Sequence, residues 1–242
     1  MFKRFIEALR RRPLLDQMLT EMEQMLDEAV HMFRPIADVL TGKKELSDEV
    51  HDMVYSTDRR INHIQRKIRK QLVEHLVVTT GADVPIGLVL MSVSKDAERV
   101  GDMCKNMLEV AEAQRGAVPE GDYTVSFRTL LEETEALFGP TSAAFRESDK
   151  ELGQLVVEKG RELARQCDAI IYRLLEDELP TREAVLLTLL ARYLKRLCLH
   201  LTNIATSVVM PLHRLDYFDE KWGEDRGYDK REGDLEDGAP PA

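Results

Sequence analysis

Cysteine is scarce and poorly spaced for chemistry: Cys104, Cys167 and Cys198 are the only three, far apart and without a C-x-x-C pair. An odd, dispersed set supports neither a disulfide framework nor a zinc site, and reads as reduced core thiols of a cytoplasmic protein. Aromatic residues make up 6% of the chain, and there are 13 glycines and 9 prolines. That composition is poor for strands and turns and rich in good helix formers, so the expected class is all-α. Long apolar runs are missing as well. The nearest, LVVTTGADVPIGLVLMSV, is interrupted by Asp83 and Pro85, too early to span a bilayer. Also missing are G-x-S-x-G, H-E-x-x-H, a P-loop and G-x-G-x-x-G, and the six histidines are scattered. An enzyme is therefore not expected.

What is present is charge, unevenly placed. The formal net charge is −10, which argues against a duplex nucleic acid partner. Residues 1–13 form a basic amphipathic segment whose MFKRFIEALRRR portion carries five bases and one acid. Phe2, Phe5, Ile6 and Leu9 share one helical face, a pattern that suits peripheral contact with an anionic membrane or packing against the body. The segment lacks the apolar run and cleavage site of a secretory signal, so a cytoplasmic location is expected. Residues 216–242 carry ten acids and four bases and are expected to be a disordered acidic tail.

Helical periodicity fills the rest. Leu15, Met18, Met22, Met25, Ala29, Met32, Ile36 and Val39 form one seam at spacings of three and four, with Pro35 expected to kink it. A methionine stripe of this kind is deformable core packing. A second helix begins near Ser47 and TTGADVP ends it. Two later seams repeat: Leu90, Val93, Ala97, Val100, Cys104, Met107 and Ala111 recur, 97 residues on, as Leu187, Leu190, Leu194, Leu197, Leu201, Ile204 and Val208. Arg99 then corresponds to Arg196 and Asn106 to Asn203, and Asp58-x-x-Ile61 resembles Asp168-x-x-Ile171. The pattern predicts two tandem three-helix bundles, residues 14–115 and 124–213, joined by RGAVPEGDY and set in line or merged as one six-helix bundle.

Within the third helix, AERVGD sets Glu98 and Asp102 on one face, and Gly101 beside them costs a helix about 1 kcal/mol relative to alanine. Gly101 implies close packing against a neighbouring helix. Asp58 on the second helix is a third oxygen donor, and acids converging from two helices are how bundles hold hard cations. Asp58, Glu98 and Asp102 are thus the candidate metal ligands. A metal-storage site of ferritin type would need facing Glu-x-x-His pairs, which neither third-helix position has.

Ala-Glu-Arg-Val-Gly-Asp at 97 to 102, with Asn106, Ala111 and the Asp58-x-x-Ile-Asn62 element, resembles the signature of the PhoU family. ARYLKRLCLHLTNIA, residues 191 to 205, looks like a second copy without its acids. The likeness spans roughly residues 14 to 213. It implies a six-helix repeat architecture and a cytoplasmic regulator of phosphate uptake and phosphate-starvation signalling, at the inner face of the membrane. The implied partner is a phosphate transporter or a sensor kinase of the phosphate response, and a homodimer is compatible with it. A helical adaptor or metal-binding bundle unrelated to phosphate is the alternative reading. The family's acid pairs hold metal clusters, which implies a divalent or iron cation at the one pair that remains here. Gln65 and Arg69 stand where the second-helix pair would fall, and Lys195 and Leu199 replace Glu98 and Asp102 in the second half. Arg69 is therefore expected to neutralise Glu98 or Asp102.

Overall fold

The computed structural model describes residues 13–79, 81–211 and 215; the basic segment up to residue 12 and the tail 216–242 lie outside them. Among the described residues there are six long helices and no strand: α1 (Pro13–Leu40), α2 (Asp48–Val78), α3 (Val84–Gln114), α4 (Asp122–Glu147), α5 (Lys150–Glu176) and α6 (Thr181–Val209). A 3-10 turn, Gly81–Asp83, joins α2 to α3.

Local chemistry sets the ends. Ser47 caps α2, its hydroxyl accepting from the Val50 amide at 3.4 Å, and Asp149 caps α5 through the Leu152 amide at 3.0 Å. Arg115 and Ser148 close α3 and α4 in left-handed conformation, which satisfies the last carbonyls. Near the turn, His75 Nε2 lies 2.9 Å from an Asp83 carboxylate oxygen and ties the end of α2 to the start of α3. Pro35 lies inside α1, which runs on without interruption to Leu40. The lost backbone bond is tolerated there because Met32, Phe33, Ile36 and Val39 are all buried around it.

Helices α1, α2 and α3 pack on one another, as do α4, α5 and α6, and α3 lies antiparallel along α6 between the two sets. Side chains fix that register, since Asp96 meets His200 and Arg182 reaches the Ala113 carbonyl. The result is a layer ordered α2, α3, α6, α5, covered on one side by α1 and α4. Between those two covering helices, Phe33 and Phe138 approach to 5.6 Å between ring centroids, and Arg34 bonds Glu135 at 2.7 Å. Both repeated seams are buried throughout, from Leu90 to Ala111 and from Leu187 to Val208. A fully buried aliphatic side chain contributes about 1.5–3 kcal/mol, so these seams dominate the stability of the central pair.

Gly101 and Gly160 illustrate how close approach of the helices depends on glycine. A Cβ on Gly101 would lie 3.1 Å from Ile61 Cδ1, which is how α3 nests against α2. On Gly160 it would lie 2.1 Å from Thr202 Oγ1 and 3.4 Å from the Cys198 carbonyl, so α5 and α6 touch nearly backbone to backbone. Thr202 cannot simply rotate away, because its hydroxyl donates to the Cys198 carbonyl at 2.9 Å. Gly160→Ala should therefore destabilise the protein by about 1–3 kcal/mol in urea denaturation, and adding Thr202→Ala should restore most of the loss. Equal stability of Gly160→Ala and the unsubstituted chain would show that the α5–α6 contact is looser than described.

Candidate functional site

The three acids do come together, on the uncovered side of the layer where α2 lies beside α3. Asp58 is buried at 7% exposure, while Glu98 and Asp102 are half-buried, one turn apart. Burial raises the Glu98 pKa above the ordinary glutamate value, and the Asp102 charge adds to it; Arg99 and Arg69 pull the other way without cancelling the rise. Asp58 Oδ2 accepts from Asn62 Nδ2 at 3.2 Å and from Lys105 Nζ at 3.3 Å. The same ammonium lies 3.7 Å from Asp102 Oδ1, and Arg99 bonds Asp102 Oδ2 at 2.8 Å. Lys105 thus stands between the two aspartates. Burial works against its charge, but Asp58 and then Asp102 more than offset that, and its pKa is raised.

Three acids here face three bases, Lys105, Arg99 and Arg69. Among the described residues no three of His, Cys, Asp and Glu form a group able to hold a metal ion. The donor set fits a divalent cation poorly, because one oxygen of Asp58 and one of Asp102 already accept from Asn62, Lys105 and Arg99, and cations stand where the metal's charge would be. Of the pair expected in place of family acids, Gln65 bonds the Ser94 carbonyl at 3.2 Å across the helix contact, and Arg69 acts on Glu98 through its charge.

In the second half the pairing is inverted. Lys195, at the position of Glu98, places Nζ at 2.8 and 2.6 Å from the two oxygens of Asp168, the counterpart of Asp58. One acid is neutralised by one base, and Leu199 takes the place of Asp102. Both halves therefore balance charge between the second and third helix with side chains.

Sequence reasoning named Arg69 but missed Lys105, although its spacing of three from Asp102 was readable as a helical ion pair. It also missed a bridge between the halves: Asp96, 6% exposed, lies 2.8 Å from His200 Nδ1 and accepts from Asn203 Nδ2 at 3.2 Å. Nothing in the one-dimensional pattern pairs residues 104 apart; only the α3–α6 register does. The thiols are all free and buried. Burial pushes the Cys198 pKa up to about 12 and those of Cys104 and Cys167 further, which keeps them protonated and unreactive. No helix among the described residues is long and apolar enough to cross a membrane.

Residues 15–111, spanning α1 to α3 and all three acids, match the family model described as PhoU domain. Two proteins of Xylella fastidiosa, strains Temecula1 and 9a5c, each named phosphate-specific transport system accessory protein PhoU homolog, are 24% identical to this chain over 204 residues. Those alignments cover 82% of this chain and 83% and 85% of the relatives. Among solved structures, PhoU from Pseudomonas aeruginosa superposes with a TM-score of 0.63 at 22% identity, over 86% of this chain and 97% of that one. The phosphate transport system regulatory protein PhoU from Streptococcus pneumoniae gives 0.64 at 15% identity, over 83% and 94%. The structural likeness gives the fold, and the sequence relationship runs through the AERVGD helix: residues 15–111 carry a PhoU domain match, and the chain is similar to PhoU homologues over most of its length.

Proposed function

We propose that this chain is a non-enzymatic regulatory accessory of a phosphate transport system, acting at the cytoplasmic face of the membrane by binding the transporter or a sensor kinase of the phosphate response. The observation that carries this reading is the alignment, over 82% of the chain, with relatives named as accessory proteins of phosphate-specific transport. A layer of long helices with one uncovered side offers the extended surface such binding needs, and the buried thiols offer no reactive nucleophile. In bacteria deleted for their own PhoU, expression of this chain should return a phosphate-starvation reporter toward its repressed level. A reporter that stays derepressed while the protein accumulates would defeat the reading.

We further propose that internal ion pairs do here what a metal would otherwise do. Lys105, Arg99 and Arg69 compensate Asp58, Glu98 and Asp102, and Lys195 compensates Asp168. The purified protein should accordingly carry far less than one iron, zinc or magnesium per chain by elemental analysis. Stoichiometric metal that disappears on Asp102→Ala would count decisively against this.

Glu98 is the acid left least compensated, and the sign of its effect follows from its raised pKa. A carboxyl that holds its proton more tightly when folded weakens the fold once ionised, and that penalty fades as pH falls through its folded pKa toward the ordinary glutamate value. Glu98→Gln should therefore raise the melting temperature at pH 7, and the gain should shrink on acidification to about pH 4. A gain that is constant across this range would mean that packing, rather than charge, sets the effect.

A further inference from the structure

The uncovered side of the layer carries a second repeated pattern, independent of the buried seams. Helix α3 is packed by α1, α2 and α6, and α6 by α3, α4 and α5, so the exposed stripes of both open on the side away from α1 and α4. On α3 that stripe includes Leu88, Lys95 and Arg99; 97 residues on, α6 presents Val185, Arg192 and Arg196. Leu88 is 53% exposed and Val185 50%, while Lys95, Arg192 and Arg196 are exposed and Arg99 half-buried. Packing does not dictate residue type at such positions, and the acids nearby have diverged between the halves. The basic and apolar types have not.

The antiparallel register turns this repeat into a two-fold patch. With Asp96 opposite His200, Arg99 lies level with Arg196 and Leu197, and the four cations collect at the middle of the α3–α6 pair. Leu88 and Val185 fall toward opposite ends. Among the described residues the side chains of Lys95, Arg192 and Arg196 have no ion pair or hydrogen bond, and Arg99 is engaged by Asp102 and Glu98. Asp96, which would otherwise oppose them, is buried on His200 and Asn203. The result is a basic strip with an apolar residue toward each end, which fits an acidic polypeptide bearing apolar anchors.

This chain carries such a polypeptide after α6 in its sequence, residues 216–242. Helix α6 ends at Val209, which the register sets level with Gly87, beside exposed Leu88. From there the cations begin about 10 Å down the helices and end about 25 Å down, at 1.5 Å per residue. Residues 216–242 extended would reach up to about 90 Å. Their order is complementary too: Tyr217, Phe218 and Trp222 come first, and seven of the ten acids follow.

We propose that the acidic segment 216–242 docks intramolecularly along the α3–α6 strip, its aromatic residues against the apolar end near Leu88 and its acids on Lys95, Arg99, Arg192 and Arg196.

Trp222 is the only tryptophan in the chain and reports on the segment without labelling. In the full chain at low salt, Trp222 should be shielded from acrylamide. The Stern–Volmer constant should rise about two- to threefold in Arg192→Glu/Arg196→Glu or on raising salt to about 0.5 M, where charges beyond a few ångströms are screened. Carbodiimide should couple Lys95 to a carboxylate of residues 224–237 within one chain. Circular dichroism checks the variant; if it loses helix, the salt titration of the unsubstituted chain decides alone. A Trp222 as open to quencher at low salt as at high salt would overturn the proposal. So would shielding that vanishes on about hundredfold dilution, since the contact would then belong to a second copy.

Discussion

The antiparallel contact between α3 and α6 is the constraint on which the rest of the structure depends. Each of these helices must bury a seam of seven apolar residues against its own covering helix while presenting a second face to the other. Because the seams share one register, both halves meet in equivalent fashion, and the polar link of Asp96 to His200 and Asn203 fixes which residues lie opposite. A slide by one turn, about 5.4 Å, would strand the buried Asp96 carboxylate without partners. Apolar burial supplies the stability of this contact, and the carboxylate supplies its register.

Charge on the open face follows from that arrangement. Asp58 is held close to α3 by the tight nesting of Ile61 against Gly101, so its carboxylate cannot escape to water as a surface acid would. A group so placed needs a counter-charge from the neighbouring helix. The first half obtains it from Lys105, the second from Lys195 on the same side of the helix pair. These are different solutions at non-equivalent positions, which shows that the requirement belongs to the fold and that the residue meeting it is free to move.

Much of this was legible in the sequence because it is periodic. The all-helical class, the start of α2 near Ser47 and the two seams could be read from spacing and capping, since a helix that buries one face must repeat apolar residues at three and four. Gly101 was readable as a contact for a related reason, a helix-weakening residue in a strong helix. The bridge of Asp96 to His200 was not, because its partners are brought together only by the packing of one half on the other. Lys105 falls between: its pairing with Asp102 is local and readable, whereas its contact with Asp58, which occupies an oxygen a metal would need, crosses from one helix to the next. The site acids were found from a motif; their neutralisation had to be seen in three dimensions.

The second half holds the same fold without an acid pair, and the reason is geometric. Glu98, Asp102 and their counterparts Lys195 and Leu199 lie on the stripe facing away from the seam, so exchanging them alters the open face and leaves the core packing as it was. Stability and surface chemistry are thus carried by opposite faces of the same helix. What the exchange does alter is the charge that the open face presents. With Lys195 and Leu199 in place of acids, Arg192 and Arg196 stand uncompensated, so the positions that offer no carboxylate to a metal also make this face attractive to an acidic polypeptide. In this chain the absence of acids at positions 195 and 199 and the basic character of the exposed strip are the same fact about one face of α6.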